Sequence, residues 1–450
     1  MRPAPVKWLG YVLIWVVMLW PGAMTAADYA GAPREVVVRA LRMVDVRSGR
    51  LLEDVAIHID GERIKAVGFA AEVLKQAPAV PVLDLGDVTI LPGLIDCHTH
   101  LLARVPDVAD GYALNLLIKS EADRALEGAA NARATVEAGF TTVRDVGNEG
   151  SRYADVALRN AIEGGLVEGP RMRVATRAIA AVGQYYPFRI SADLAAFPSG
   201  AQSVSGVDEA RRAVREQIGN GADLIKVYAD WDTATLTLAE LQVIVDEAHR
   251  ANRKVAAHAT TTEGIRNAVA VGVDSIEHGN RADRETLETM KVKGIYLVPT
   301  LSVMDAWATS SPENAASPRL KSYMEGARQT VGMAHAIGVR IVNGSDPSSS
   351  DRHGKNAEEL LAMTKRGLSA IEAIRAATTS AADLMGMSAD VGAVEAGKYA
   401  DLIAVDGNPL DDIGTLLRVK FVMKGGRVIK RETLVGPATA IGIRRQPGPS

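Results

Sequence analysis

The segment Leu91-Pro92-Gly93-Leu94-Ile95-Asp96-Cys97-His98-Thr99-His100 closes an apolar run with His-x-His. Residues two apart on a strand face the same side, so His98 and His100 project together with Asp96 below them. Two imidazoles on one face suit a divalent transition metal, although two histidines can also close a strand by chance. Three more apolar runs end in ligand-type residues: Lys254 to His258, Asp274 to His278, and Val339 to Asp346. A lone histidine on an apolar strand is ordinarily a satisfied core residue. Here four of the eight histidines, and an aspartate, fall at predicted strand ends. The run Ala222-Asp223-Leu224-Ile225-Lys226-Val227-Tyr228 adds a lysine and a tyrosine on one face. A lysine aimed into a protein interior is costly unless neutralised, paired or able to snorkel outward. Beside two metals it has another course: the neutral amine can take up carbon dioxide to give an anionic, bidentate carbamate that bridges both cations.

These residues need elements that bring them together. Residues 34–90 read as short strands, among them Glu35–Ala40, Val55–Asp60 and Arg63–Val67, with turns at Ser48-Gly49 and Asp60-Gly61. Residues 393–430 read likewise: Ala400–Val405, Val419–Met423, a Gly425-Gly426 turn and Arg427–Ile429. Between them, short apolar strands alternate with helical stretches such as Glu121–Ala138, Asp208–Asn220 and Leu238–Ala251. That alternation predicts a parallel sheet. Eight strand ends are placed near His98, Asp145, Arg177, Lys226, His258, His278, Pro299 and Asp346. Their spacing allows right-handed crossovers and predicts an α/β fold of the (β/α)8 TIM-barrel type, with a doubly wound open sheet as the alternative. In a barrel all these ends converge on one rim. The expected organisation is a barrel over 91–390, a small β-sandwich built from 28–90 and 391–436, and a flexible tail over 437–450.

The chain has 450 residues, 47% apolar and 23% charged, which excludes collagen-like and fully disordered classes. A net charge of −3 without a basic stripe argues against nucleic acid as a partner. The single cysteine, Cys97, excludes an intramolecular disulfide and any cysteine-cluster metal site. Arg2 and Lys7, the apolar run Trp8–Trp20, a Pro21-Gly22 break and small residues to Ala27 have the layout of a signal peptide over 1–27. An exported enzyme, in a bacterial periplasm or secreted, is the expectation, without stable membrane insertion after cleavage.

The combined pattern resembles the amidohydrolase superfamily over nearly the whole chain after residue 27. The matching residues are His98 and His100, Lys226, His258, His278 and Asp346, in that order. The resemblance implies that His98, His100 and Asp346 hold the more buried of two divalent ions, zinc by default. It implies that His258 and His278 hold the other, that carboxylated Lys226 and a hydroxide bridge them, and that Asp346 is the general base. Within the superfamily the chain looks most like the prolidase-like, imidazolonepropionase-related peptidases, a group that includes amidases of the ochratoxin type. Leu91–Asp96, Lys226-Val227-Tyr228, His353-Gly354 and Asn356-Ala357-Glu358-Glu359-Leu360 carry that likeness, and Tyr228 is then expected to polarise the scissile carbonyl. A departure lies after the third strand, where Ala181-Val182-Gly183-Gln184-Tyr185-Tyr186-Pro187 stands in place of the Gly-Gly-His segment of many members.

The expected reaction is hydrolysis of the amide bond of a dipeptide or N-acyl amino acid with a free C-terminal carboxylate. A lactonase, a cyclic-amide hydrolase, a mononuclear deaminase and a non-catalytic barrel are the alternatives. Lys226 argues against the deaminase, and the complete ligand set argues against the non-catalytic barrel. Tyr228 and His353 are expected to contact substrate, and the insertion Gln184-Tyr185-Tyr186-Pro187-Phe188 to supply aromatic surface. One of Arg144, Arg177, Arg189 and Arg352 could clamp the carboxylate. His58, His249 and His335 are read as structural, and Cys97 as a buried apolar residue facing away from the metals. A homo-oligomer is expected.

Overall fold

The computed structural model describes residues 35–106, 111–185, 198–349 and 351–432. The expected leader and tail, together with Tyr186, Pro187, Phe188 and Arg189, lie outside them. In chain order the strands are β1 (Glu35–Asp45), β2 (Arg50–Asp60), β3 (Arg63–Phe69), β4 (Val82–Asp84), β5 (Thr89–Pro92), β6 (Leu94–Thr99), β7 (Phe140–Asp145), β8 (Arg171–Val174), β9 (Ala178–Ala181), β10 (Ala201–Val204), β11 (Leu224–Tyr228), β12 (Lys254–Ala259), β13 (Ser275–His278), β14 (Tyr296–Val298), β15 (Leu402–Val405), β16 (Phe421–Lys424) and β17 (Arg427–Arg431).

Both chain ends feed one eight-stranded sheet, in the order β17-β16-β15-β5-β1-β2-β3 with β4 beside β1. Its tight turns use Gly61 and Gly426, whose φ values of +57° and +73° suit glycine. Period-two alternation explains the joining of the ends. Val36, Val38 and Ala40 of β1 share an apolar cluster with Ile57 and Ile59 of β2, and with Leu402, Ala404, Phe421 and Met423 from the other end.

The central strands are parallel, in a three-stranded sheet β6-β7-β8 and a six-stranded sheet β10-β9-β11-β12-β13-β14. Every residue of β6, β7 and β11 is buried, as expected of strands covered on both faces. The connecting helices include Glu121–Glu137 and Leu238–Arg250. Each starts at a capping box, Ser120 with Asp123 and Thr237 with Glu240, which satisfies backbone N–H groups at the helix start. The result is an α/β fold on parallel sheets. Among the described residues no helix is long and apolar enough to cross a membrane.

Two expectations are corrected. Val339–Asp346 is not a full strand; it pairs only through an isolated bridge between Ile341 and Leu297. Its backbone groups go to several partners: Val342 N–H to Leu297 O, Asn343 N–H to Ala376 O and Asp346 N–H to His98 O, while Asn343 O accepts from Cys97 N–H. Arg177 does not end a strand either. β8 stops at Val174, and the chain resumes in β9 immediately after Arg177.

Candidate metal centre

His98 and His100 leave β6 and its end on one side, as the His-x-His spacing requires. Asp346 lies between them, its Oδ1 3.7 Å from His98 Nε2 and 3.3 Å from His100 Nε2. The β11–β12 register sets Tyr228 opposite His258, and the β12–β13 register sets Ala259 opposite His278. The rings of His258 and His278 are 4.5 Å apart, and those of His98 and His278 5.2 Å. His98, His278 and Asp346 each offer a ligand atom, all within 4.8 Å of one another. That trio draws on both ligand sets implied by the resemblance, so the two sets meet in one cluster.

Three of the rings are held from behind. His98 Nδ1 is 2.6 Å from Glu277 Oε2. His100 Nδ1 is 2.8 Å from the Gly147 carbonyl and 3.2 Å from Glu149 Oε1. His278 Nδ1 is 2.7 Å from the Thr300 hydroxyl. Asp96, beneath the histidines, accepts from His98 N–H at 3.0 Å, Ser345 N–H at 3.1 Å and Asn356 Nδ2 at 2.8 Å, which ties β6 to the segment carrying Asp346. The backbone is unusual at this rim. His278, Thr300, Asp346 and Glu149 have φ of 69°, 48°, 52° and 51°, a region that residues other than glycine rarely occupy.

Burial sets the charge states. It carries His98 and His258 well below the ordinary imidazole range and His278 to about 4, so these rings are neutral, the form that binds metal. Burial alone would raise Asp346, but His98 and His100 facing it hold it below the ordinary carboxylate range. His100 would likewise fall on burial, and its hydrogen bond to Asp346 and the Glu149 charge lift it to about 9. Lys226 is 1% exposed and burial lowers it to about 8, opposed by the charges of Glu277 and Asp346. Its ammonium lies 5.7 Å from the Tyr228 ring centre and has no carboxylate within ion-pair distance among the described residues. Three neutral imidazoles, a fourth that must give up its proton to bind, an ionised carboxylate and a buried unpaired amine fit a divalent transition-metal centre.

An aromatic wall stands beside it. Tyr228 stacks on Trp231 at 4.9 Å and meets Tyr185 edge-on at 5.1 Å, while Trp231 lies 4.4 Å from His258. Burial and the neighbouring Tyr185 hold the Tyr228 phenol well above 10, so it remains a proton donor. Tyr185, from the expected aromatic insertion, also hydrogen-bonds Tyr112 and Glu149.

Other residues fall elsewhere. His353 is buried, its Nε2 donating to Ala103 O at 2.9 Å and its Nδ1 without a partner among the described residues. Arg144 is not a carboxylate clamp: it is buried and its nitrogens are bound to Cys97 O, Ser275 Oγ and Glu277 Oε1. Arg352 is engaged by Glu358 at 2.6 Å. His249 and His335 pair with Asp274 and Glu372 away from the centre, and His58 lies in β2 near Glu35. Cys97 is fully buried, with its sulfur toward the Ala381 carbonyl. The sequence reading passed over Glu277, Thr300, Ser345 and Glu149. For Glu277 a signal existed: Ser275 and Glu277 alternate with the apolar Ile276, which puts two polar groups on one face of a buried strand.

The sequence pattern of the Amidohydrolase family matches residues 89–429. An ochratoxinase from Aspergillus niger is 32% identical over 429 residues, covering 85% of this chain and 84% of its own. The crystal structure of A. niger ochratoxinase has a TM-score of 0.77 at 29% identity, over 89% of this chain and 96% of that one. The crystal structure of a Xaa-Pro dipeptidase with bound methionine in the active site gives a TM-score of 0.79 at 33% identity, over 88% and 99% of the two chains. An imidazolonepropionase from Symbiobacterium thermophilum is 27% identical over 414 residues, 86% of this chain and 90% of its own. These relatives are hydrolytic, and so is this protein: the chain belongs to the amidohydrolase family, among its prolidase- and ochratoxinase-like members.

Proposed function

We propose that the protein is a binuclear metal-dependent hydrolase that cleaves the amide bond of dipeptides or N-acyl amino acids bearing a free C-terminal carboxylate. Lys226 carries this reading. A buried amine whose charge is felt at His98, His258 and His278, lowered to about 8 and without an ion-pair partner among the described residues, would be free to form the carbamate. His98, His100 and Asp346 would hold one ion and His258 and His278 the other, with the parallel sheets closing into a barrel and the flanking sheet folding into a sandwich. Two divalent ions, zinc by default, would when bound supply Lewis acidity and lower the pKa of a water. Asp346, kept ionised, takes the proton of that water and passes it to the leaving nitrogen. Tyr228, kept protonated and fixed by Trp231, donates to the carbonyl oxygen as it becomes an oxyanion. The wall of Tyr185, Tyr228 and Trp231 favours large apolar acyl or side-chain groups.

A free carboxylate on the leaving group is supported by the likeness to an Xaa-Pro dipeptidase and an ochratoxinase. The likeness to an imidazolonepropionase supports a second reading, a cyclic-amide hydrolase. A matched pair of substrates separates them, one with a free C-terminal carboxylate and one amidated there. The free acid should be cleaved with the higher kcat/KM. Equal or faster cleavage of the amidated form rejects the carboxylate requirement and leaves the cyclic-amide reading. Secretion by a leader over 1–27 and assembly into a homo-oligomer are part of the same proposal.

A further inference from the structure

Glu277 stands next to His278 yet has no part in the reaction proposed above. We infer that Glu277 is a positioning residue that fixes the tautomer of His98, and that Arg144 fixes Glu277. The inference rests on the reading of His98 as a metal ligand. Glu277 divides its two oxygens. Oε2 is 2.6 Å from His98 Nδ1, while Oε1 accepts from Arg144 Nη2 at 2.8 Å and from Ser275 Oγ at 2.5 Å. The remaining donors of Arg144 are also fixed, Nη1 to Ser275 Oγ at 3.0 Å and Nε to the carbonyl of Cys97, the residue before His98, at 2.6 Å. His98, Arg144, Ser275 and Glu277 are all buried, so water does not substitute for any of these partners.

A carboxylate only accepts and a guanidinium only donates. His98 must therefore present its proton at Nδ1, toward Glu277. A neutral imidazole has one ring proton, so Nε2, on the side of Asp346, keeps its lone pair. The hydrogen bond that orients the ring thus also prepares the ligand atom.

Glutamine at position 277 reverses this. Its amide oxygen is claimed by Arg144 and Ser275, because turning the amide NH2 that way sets donor against donor. The NH2 then faces His98 Nδ1, the ring takes its proton on Nε2, and the lone pair for the metal is lost. In the double variant Arg144→Met/Glu277→Gln the guanidinium is gone. The amide is free to turn its oxygen to His98 and its NH2 to Ser275 Oγ, which restores the ligating tautomer.

The test is titration of metal-stripped protein with Zn2+ alone against a chromophoric chelator, with thermal melting of the stripped chains as the folding control. Glu277→Gln should weaken Zn2+ binding by about 10- to 100-fold, and the double variant should regain most of that loss. Binding by Glu277→Gln within about threefold of wild type, or a double variant no tighter than the single, overturns the inference. His98→Asn separates it from the ligand reading. If that variant binds Zn2+ like wild type, the ligand reading fails; if it loses Zn2+ while Glu277→Gln keeps it, only the positioning role fails. Should Glu277→Gln not fold, 15N-histidine spectra of the Zn2+-loaded wild type decide. The His98 signal, identified by its absence in His98→Asn, must carry its proton on Nδ1, and a bare Nδ1 overturns the inference.

Discussion

Two ion pairs of the same chemistry sit in contrasting places. Arg39 and Asp54, in the flanking sheet, meet at 2.9 Å with 41% and 54% of their side chains exposed. Arg144 and Glu277, beneath the metal centre, meet at 2.8 Å with 3% and 0% exposed. The first adds about 0–1 kcal/mol, since water and salt screen it. The second has stripped both charges of water, and loss of one partner costs about 3–5 kcal/mol, although apolar side chains of equal volume would often stabilise as well or better. The flanking sheet owes its cohesion to apolar residues such as Ile57, Ile59 and Phe421. The rim of the parallel strands instead retains buried Lys226, Glu277, Arg144 and Asp96, groups that do not favour folding by themselves. The contrast locates the chemistry independently of any motif.

Substitutions in the two regions should therefore fail in different ways. The largest loss is expected from Lys226→Ala. It should fold, hold fewer metal ions by elemental analysis, and lose more turnover than any other single change at the rim. Added short-chain carboxylates should partly restore activity by standing in for the proposed carbamate, and full activity without them would remove Lys226 from the centre. Next comes Asp346→Asn, which keeps the shape and removes the proposed base. Its kcat should drop about 10²- to 10⁴-fold with little change in melting temperature, and near-normal turnover would exclude Asp346 as the proton carrier. Phe421→Ala, in the flanking sheet, should do the opposite. A loss of about 3–5 kcal/mol in denaturant unfolding is expected, with kcat per folded molecule unchanged. A kcat effect as large as that of Asp346→Asn would abolish the division of labour. The smallest effect belongs to Arg39→Ala, expected to shift stability by less than about 1 kcal/mol and to leave kcat and KM alone.

The difference between the regions also governs what the sequence discloses. His98, His100, Lys226 and Tyr228 were legible because the period of a strand is two, so spacing alone puts each pair on one face. Asp346 was legible as the end of an apolar run even though that run forms only a single bridge. Its backbone partners Leu297, Ala376 and His98 come from three separate parts of the chain, which no local pattern reports. β9 was missed because Ala178-Ile179-Ala180-Ala181 is alanine-rich, and alanine is a poor strand former judged locally. Arg144 was misjudged for a related reason. An arginine near a strand end looks available to a ligand until its partner is known, and Glu277 lies 133 residues away. Local period recovers which residues point inward; it does not recover which of them are already spoken for.

The left-handed backbone at His278, Thr300 and Asp346 has a consequence for ion capture. Such conformations cost on the order of 1–3 kcal/mol each and persist only where the surrounding structure enforces them. The main chain under two of the donor groups is thus set before the moment of capture. A cage built this way resembles a macrocycle more than an open-chain chelator. It surrenders little backbone freedom when an ion enters, so only the side-chain torsions of those donors remain to be fixed at capture.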